Sequence, residues 1–417
     1  MGDAAMRQVK LFRMLRRGVI PITILLSACG GGGGSDVIAP FWIQSGVAVA
    51  DFNADGKLDV AVATTYIAGP PPHPGYVEVY LQAGIGNFET PIRYPAGPDP
   101  WGMSAGDVDG DGLLDLIVAS PSTVAPEINV IGNSGGVSIL RQDPAHRGHF
   151  LTTQWLATGG MAEDAAIADL DGDGRADLVV ADGVQVNGRA LLLRQDPAVP
   201  GTFLAPASLQ TGSGSQNLAV ADVNGDGLSD VVLATSNGVV ILYRNVAGGF
   251  DPAVILAAGI KTSGVAVADL DGDGRVDIVA ANAGNAPAGG TGGASVTIFR
   301  QTSPGSFSMT NIPVADGARR VTIGDLNGDG APDIAAISLV YQSQSTPSRV
   351  SILLQSSAIA GQFSVAGVYN GSYSGSFIAI GDINGDGLND LVLNDGPSVL
   401  LQRTIMPGTF DAVRTLR

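Results

Sequence analysis

One cysteine, Cys29, stands in 417 residues, so no disulfide can form within the chain and rigidity must come from a core or from bound ions. Positive charge is scarce: 22 Lys and Arg against 39 Asp and Glu leave a net charge of −17, which disfavours nucleic acid as a partner. Histidine occurs three times, as His73 and as the pair His146 and His149 in one hairpin. With no further Cys, His or Glu beside it, that pair makes a poor metal or catalytic site. No nucleophile elbow, Cys–His pairing, Walker loop or dinucleotide fingerprint occurs. Aromatic residues make up only 6% of the chain, and the apolar run from Val19 to Leu26 is too short to span a bilayer.

What the chain does hold is an acidic nine-residue loop, Asp-x-Asp/Asn-x-Asp-Gly-x-x-Asp, written seven times at intervals of 47 to 62 residues. Position 1 is Asp51, Asp107, Asp169, Asp222, Asp269, Asp325 and Asp382. Position 3 is Asp109, Asp171 and Asp271 in three copies and Asn53, Asn224, Asn327 and Asn384 in the others. Position 5 is Asp55, Asp111, Asp173, Asp226, Asp273, Asp329 and Asp386, and position 9 is Asp59, Asp115, Asp177, Asp230, Asp277, Asp333 and Asp390. Position 7, which can add a backbone carbonyl, is Lys57, Leu113, Arg175, Leu228, Arg275, Ala331 and Leu388. These oxygens converge if the chain coils tightly, and the Gly at position 6 allows that turn. Hard oxygen ligands in such number suit Ca²⁺, which takes six to eight of them at roughly 2.3–2.6 Å. Only the first copy departs at position 4, with Ala54 where the rest have Gly.

An EF-hand begins the same way but needs a bidentate Glu at position 12 and helices on both sides. Position 12 here is Val62, Val118, Val180, Leu233, Ala280, Ala336 and Leu393, inside stretches of β-branched and small residues. The alternative, that these residues only make turns, gives no reason for a final Asp recurring seven times. The loops hold 24 of the 39 acidic residues. Without residues 1–28 the net charge becomes −21, and seven Ca²⁺ ions would bring it to −7. The expected cofactor is therefore structural Ca²⁺, up to seven ions.

Each loop sits in a unit of four strand-like segments. Ahead of it, small and large residues alternate, as in Ala166-Ile167-Ala168, which reads as an inner strand beside a narrow channel. A second strand (Asp177-Leu-Val-Val-Ala181) and a third (Gly136-Val-Ser-Ile-Leu140) follow. A fourth is expected to begin at Phe88, Phe150, Phe203, Phe250, Phe307, Phe363 and Phe410, whose rings read as core. Four strands repeated seven times at about 50 residues predict an all-β, seven-bladed β-propeller over residues 41–417, with an acidic loop in each first hairpin. A linear β-solenoid is the alternative, but its coils are shorter and its Gly-Gly-x-Gly-x-Asp repeat is absent. Residues Val37–Ile43 are candidates to pair with the last blade and close the ring.

The loops and the Asp-Leu-x-Val-Ala strand after them resemble the FG-GAP repeats, also called VCBS-like repeats, of integrin α-subunit propellers and bacterial surface proteins. The resemblance implies a calcium-binding propeller whose partners dock on the face opposite the loops. In integrins only some blades carry the loop; here all seven do, as in the bacterial members. The resemblance does not fix an activity.

Residues 1–28 read as an export signal, with basic Arg7, Lys10, Arg13, Arg16 and Arg17 ahead of the apolar run. Leu26-Ser-Ala-Cys29 resembles the lipobox of bacterial lipoproteins, making Cys29 the lipidation site, and residues 29–40 carry a Gly-rich tether. Gly30 after that cysteine implies the outer membrane, by resemblance to Gram-negative lipoproteins. The expected protein is a monomeric, lipid-anchored binding or scaffold module of the bacterial envelope with a protein or glycan ligand. Its ligand face would present Tyr66, His73, Trp101, Arg319, Arg320, Tyr369 and Tyr373. No catalytic constellation is evident. A carbohydrate-active lyase or hydrolase on a calcium propeller is the rival, needing carboxylates outside the loops, of which Glu127, Glu163 and Asp164 lie isolated in the sequence.

Overall fold

The computed structural model describes residues 41–67, 73–121, 135–184, 188–284, 293–338, 347–371, 376–394 and 398–415. Cys29, Glu127 and Tyr373 lie outside them. Among the described residues, no helix is long and apolar enough to cross a membrane.

The strands form seven four-stranded antiparallel sheets, each a meander in chain order. These blades span residues 41–96, 103–157, 162–210, 215–256, 262–313, 318–370 and 378–415. The second strands, such as Asp177–Asp182 and Asp230–Thr235, are buried along their whole length, which is why they read as unbroken runs of Val, Leu, Ile and Ala.

Seven apolar cores fill the seams between adjacent blades. The last seam joins blade 7 to blade 1, where Ile383, Val392, Val399 and Phe377 meet Val47, Val60, Val62 and Phe88. Among the described residues no strand crosses that seam, and Phe41–Ile43 pairs with Thr65–Ile67 of its own blade. The expectation that this stretch closes the ring on the last blade is therefore corrected for residues 41–43. Packing and two hydrogen bonds close it instead: Asn394 Nδ2 donates to Gln44 O at 2.8 Å and Gln82 Nε2 to Ile383 O at 3.1 Å.

The small-large alternation of the first strands has a packing cause. A Cβ placed on Gly106 would lie 3.0 Å from Ile167 of the next blade, and one on Gly324 would lie 3.1 Å from Ile380. At these seams a large residue of one inner strand presses against a small one of its neighbour, as Val49 also does against Gly381. Of the Phe series, Phe88, Phe150 and Phe410 are buried in the cores and Phe203, Phe250, Phe307 and Phe363 pack against them half-buried, with Phe150 edge-on to Phe52 at 5.9 Å. Its place in the strands differs from expectation. Only Phe307 and Phe363 lie in outer strands. Phe88, Phe150, Phe203, Phe250 and Phe410 make short pairings with the residue at the end of the third strand, before the outer strand starts.

Candidate metal centres and the opposite face

Each acidic loop links the first and second strands of its blade. The glycine at position 6 takes φ between 83° and 86° in all seven copies, a left-handed conformation open to residues without a Cβ. Its N–H donates to position-1 Oδ2 at 2.7–3.0 Å. The N–H of position 7 donates to position-5 Oδ1 at 2.8–3.0 Å. The chain therefore wraps its carboxylates inward, as the spacing predicts. Asp107, Asp109 and Asp115 bring one oxygen each within 4.8 Å of one another, as do Asp169, Asp171 and Asp177, and Asp269, Asp271 and Asp273.

Position 9 has a second task. Its Oδ2 accepts the N–H of position 2 at 2.9–3.1 Å, and its Oδ1 accepts an N–H from the end of the third strand at 2.7–2.8 Å. Those donors are Gln82, Gln142, Gln195, Arg244, Gln301, Gln355 and Gln402. Burial outweighs these donors and pushes the Asp59, Asp115, Asp230, Asp277, Asp333 and Asp390 carboxyls up to about 6. Asp177 is raised for the same reason.

The glutamines are a part of the site that sequence reasoning missed. Gln195 Nε2 donates to Ala176 O of its own loop at 2.8 Å and to Val108 O of the preceding blade's loop at 2.7 Å. Gln301 reaches Val276 O and, across the seam, Val223 O. Gln402 likewise reaches Leu326 O in blade 6. The side chains of Gln82, Gln195 and Gln301 each staple two acidic loops together, while those of Gln142 and Gln355 hold Leu114 O and Pro332 O of their own loops. Their sequence signal is a polar residue six or eight positions before each repeated Phe.

Whether a cation fits can be judged from two atoms. Oδ1 of Asp109 and of Asp271 is shut off from solvent and has no hydrogen-bond partner. A buried carboxylate oxygen without a donor is costly, and a hard divalent cation among oxygen-only ligands would satisfy it. The clusters could hold a metal ion.

On the opposite face the first strands begin with a β-bulge in blades 3, 4, 5 and 6, which re-aims Glu163, Gln216, Ser263 and Arg319. Arg319 lies over the Trp101 ring at 5.3 Å, Arg320 over Phe377 at 4.8 Å, and the two rings meet edge-on at 5.6 Å. Arg320 Nη2 donates to Gln216 O at 2.9 Å and its Nη1 to Ser263 O at 2.5 Å. Glu163 and Asp164, isolated in the sequence, join this group. Desolvation pushes Glu163 up to about 7 against the pull of Arg319 and Arg320, and Asp164 accepts from Asn217 Nδ2 at 2.5 Å. Of the other expected face residues, His73 pairs with Asp99 at 3.4 Å. Tyr66 sits opposite Trp42 in blade 1. Tyr369 is half-buried and packs against the core between blades 6 and 7, edge-on to Phe410 at 5.5 Å, which corrects its assignment to the ligand face. His146 turns to Asp143 at 2.9 Å, and neither histidine joins a three-ligand cluster among the described residues.

Seven closed blades with an acidic loop in every first hairpin define a β-propeller of the repeat-built kind. The FG-GAP-like repeat family model matches residues 51–118, 125–180 and 222–280, and the FG-GAP repeat model matches residues 100–140. The chain carries FG-GAP-like repeats on a seven-bladed β-propeller. Among solved structures it is similar to an Agrocybe aegerita lectin that recognises non-reducing terminal N-acetylglucosamine. That match has 19% identity and a TM-score of 0.53, over 89% of this chain and 93% of the lectin. It is also similar to the exotype rhamnogalacturonan lyase YesX, at 13% identity and a TM-score of 0.50, over 94% of this chain and 75% of the lyase. A Bacillus licheniformis rhamnogalacturonan lyase matches at 15% identity and a TM-score of 0.50, over 94% and 74%. At these identities the likeness is one of fold. No curated protein matches the sequence significantly.

Proposed function

We propose that the chain is a calcium-stabilised binding or scaffold module, anchored through lipidated Cys29 to the bacterial outer membrane, that takes a protein or glycan ligand on the face opposite the acidic loops. The observation that carries the ligand face is the group of Trp101, Arg319, Arg320 and Glu163, drawn to one place from the link between blades 1 and 2, from blade 6 and from blade 3. A cation stacked on indole beside a carboxyl offers both apolar contact and hydrogen bonds, the mix that recognition sites use. The loops supply the metal ligands: positions 1, 3, 5 and 9 with the carbonyl of position 7 would hold Ca²⁺, which contributes charge neutralisation and stiffening. Outside the cytoplasm even sites of about 10⁻⁴–10⁻³ M would be filled. A glycan array and an envelope-protein pull-down, each with wild type and Arg319→Ala in calcium, test the binding reading. Loss of a specific ligand in the variant supports it; retention of every ligand refutes the face.

A carbohydrate-active enzyme is the second reading, favoured by one observation, the Glu163 and Asp164 carboxyls beside Arg319 and Arg320. Turnover of a polysaccharide that Glu163→Gln abolishes would establish it. Palmitate labelling lost in Cys29→Ser tests the anchor.

A further inference from the structure

The seven loops fall into two groups by position 3, and a residue far along the chain follows the division. Where position 3 is Asp109, Asp171 or Asp271, the residue before the glutamine that donates its N–H to position 9 is Arg141, Arg194 or Arg300. Where position 3 is Asn53, Asn224, Asn327 or Asn384, the corresponding residue is Leu81, Tyr243, Leu354 or Leu401. The structure brings the pairs together. Arg141 Nη1 lies 3.5 Å from Asp109 Oδ2, Arg194 Nε 3.4 Å from Asp171 Oδ2, and Arg300 Nε 3.7 Å from Asp271 Oδ2. The turn of the following blade covers each pair: a Cβ on Gly201 would lie 2.9 Å from Asp109 Cβ, and one on Gly361 3.0 Å from Asp271 Cβ. In the Asn loops, Leu81 and Leu354 fill the same space, beneath Gly148 and Gly408. There the amides of Asn224, Asn327 and Asn384 donate to position-5 Oδ2 at 3.0–3.1 Å, which an aspartate cannot do.

Asp with Arg and Asn with an apolar residue carry the same summed charge. We propose that Arg141, Arg194 and Arg300 are built-in counter-ions of the position-3 carboxylates, which hold those loops together before metal arrives and moderate their calcium affinity to match the Asn loops. This rests on the calcium reading. Each guanidinium takes the outer oxygen, Oδ2, and in blades 2 and 5 leaves the buried Oδ1 of Asp109 and Asp271 for the ion. Without the arginine, an extra negative charge would repel its neighbours in the empty loop and attract Ca²⁺ more strongly in the filled one. With it, the position-3 charge no longer separates the Asp loops from the Asn loops in calcium affinity.

The test uses the full chain with Arg141, Arg194 and Arg300 changed to Leu, then with Asp109, Asp171 and Asp271 also changed to Asn, each melted in chelator and titrated with Ca²⁺. The expected result is a lower melting temperature in chelator for the arginine variant. Calcium binding at three of its sites should tighten about threefold, the order set by a half-exposed ion pair, and the added Asp→Asn changes should restore both. Arg141→Leu with and without Asp109→Asn repeats the test should the triple variant fail to fold. Weaker calcium binding in the arginine variant, or effects that Asp→Asn does not reverse, would overturn the proposal. If no chain binds calcium, the calcium reading fails separately. The chelator melts still decide the pairing: reversal by Asp→Asn upholds the counter-ion role, and its absence rejects it.

Discussion

Replacing Ala54 with Gly should stabilise the protein, although Ala54 is exposed and the change removes only a methyl group. Ala54 holds position 4 of the first loop with φ at 59°, where the other six loops have glycine with φ between 69° and 83°. A left-handed backbone costs an L-residue about 1–2 kcal/mol. Glycine gives back about 0.4–1 kcal/mol through the greater freedom of its unfolded chain. The difference favours glycine by about 0.5–1 kcal/mol. For a chain of this size that is a rise in Tm of roughly 1–2 °C, and pre-organisation of the loop would tighten its calcium site by a factor of about 2–5. Gly272→Ala is the mirror control: its φ is 74° and an added Cβ would touch nothing within 4 Å, so only backbone strain changes. It should lower Tm by a similar amount. Differential scanning calorimetry of both variants, in chelator and in calcium, measures the pair. A lower Tm for Ala54→Gly, or equal signs for the two variants, would refute the reasoning.

Gln195→Ala should cost about 2–4 kcal/mol, because the buried carbonyl of Val108 and the half-buried one of Ala176 both lose this donor; denaturant unfolding checks this, and a loss under about 1 kcal/mol would argue against the staple. In chelator, acidification should raise Tm. The position-9 carboxyls at about 6 bind protons in the folded chain before their unfolded counterparts at 3.8, so stability falls as pH rises through that window. In saturating calcium the sign should reverse, because protons then compete with the metal; paired melts across that window test both signs. Arg320→Ala should destabilise by about 2–3 kcal/mol through two orphaned carbonyls and a lost ring contact. Arg319→Ala should shift Tm little while removing ligand binding, and thermal melts distinguish the two.

The blades, their number and the loop geometry were legible in the sequence because each is local: a period-2 strand, a glycine turn and a fixed carboxylate spacing recur within one repeat. What was not legible crosses the seams. Gln195 means nothing until Val108 of another blade lies against it. Arg319 and Glu163 are 156 positions apart, and bulges re-aim them toward one group. Tyr369 packs on Phe410 where the sequence predicts a ligand-face residue, because alternation assigns a face to a strand but does not say which neighbour's ring covers it. The outer strands began later than the Phe pattern suggested, since in five blades that Phe closes a short turn over the seam and leaves the ladder to residues beyond it. The Asp–Arg matching emerges only when the repeats are aligned on the end of the third strand as well as on the loop.

The most direct test of the account is a thermal melt of the chain from Ser35 onward, in excess calcium and then in chelator, with metal content measured on the same sample. The account predicts close to seven Ca²⁺ per chain, one for each acidic loop, and a large fall in melting temperature when they are removed. No bound metal and no shift would contradict it, leaving a propeller whose Asp-Gly loops are turns and nothing more.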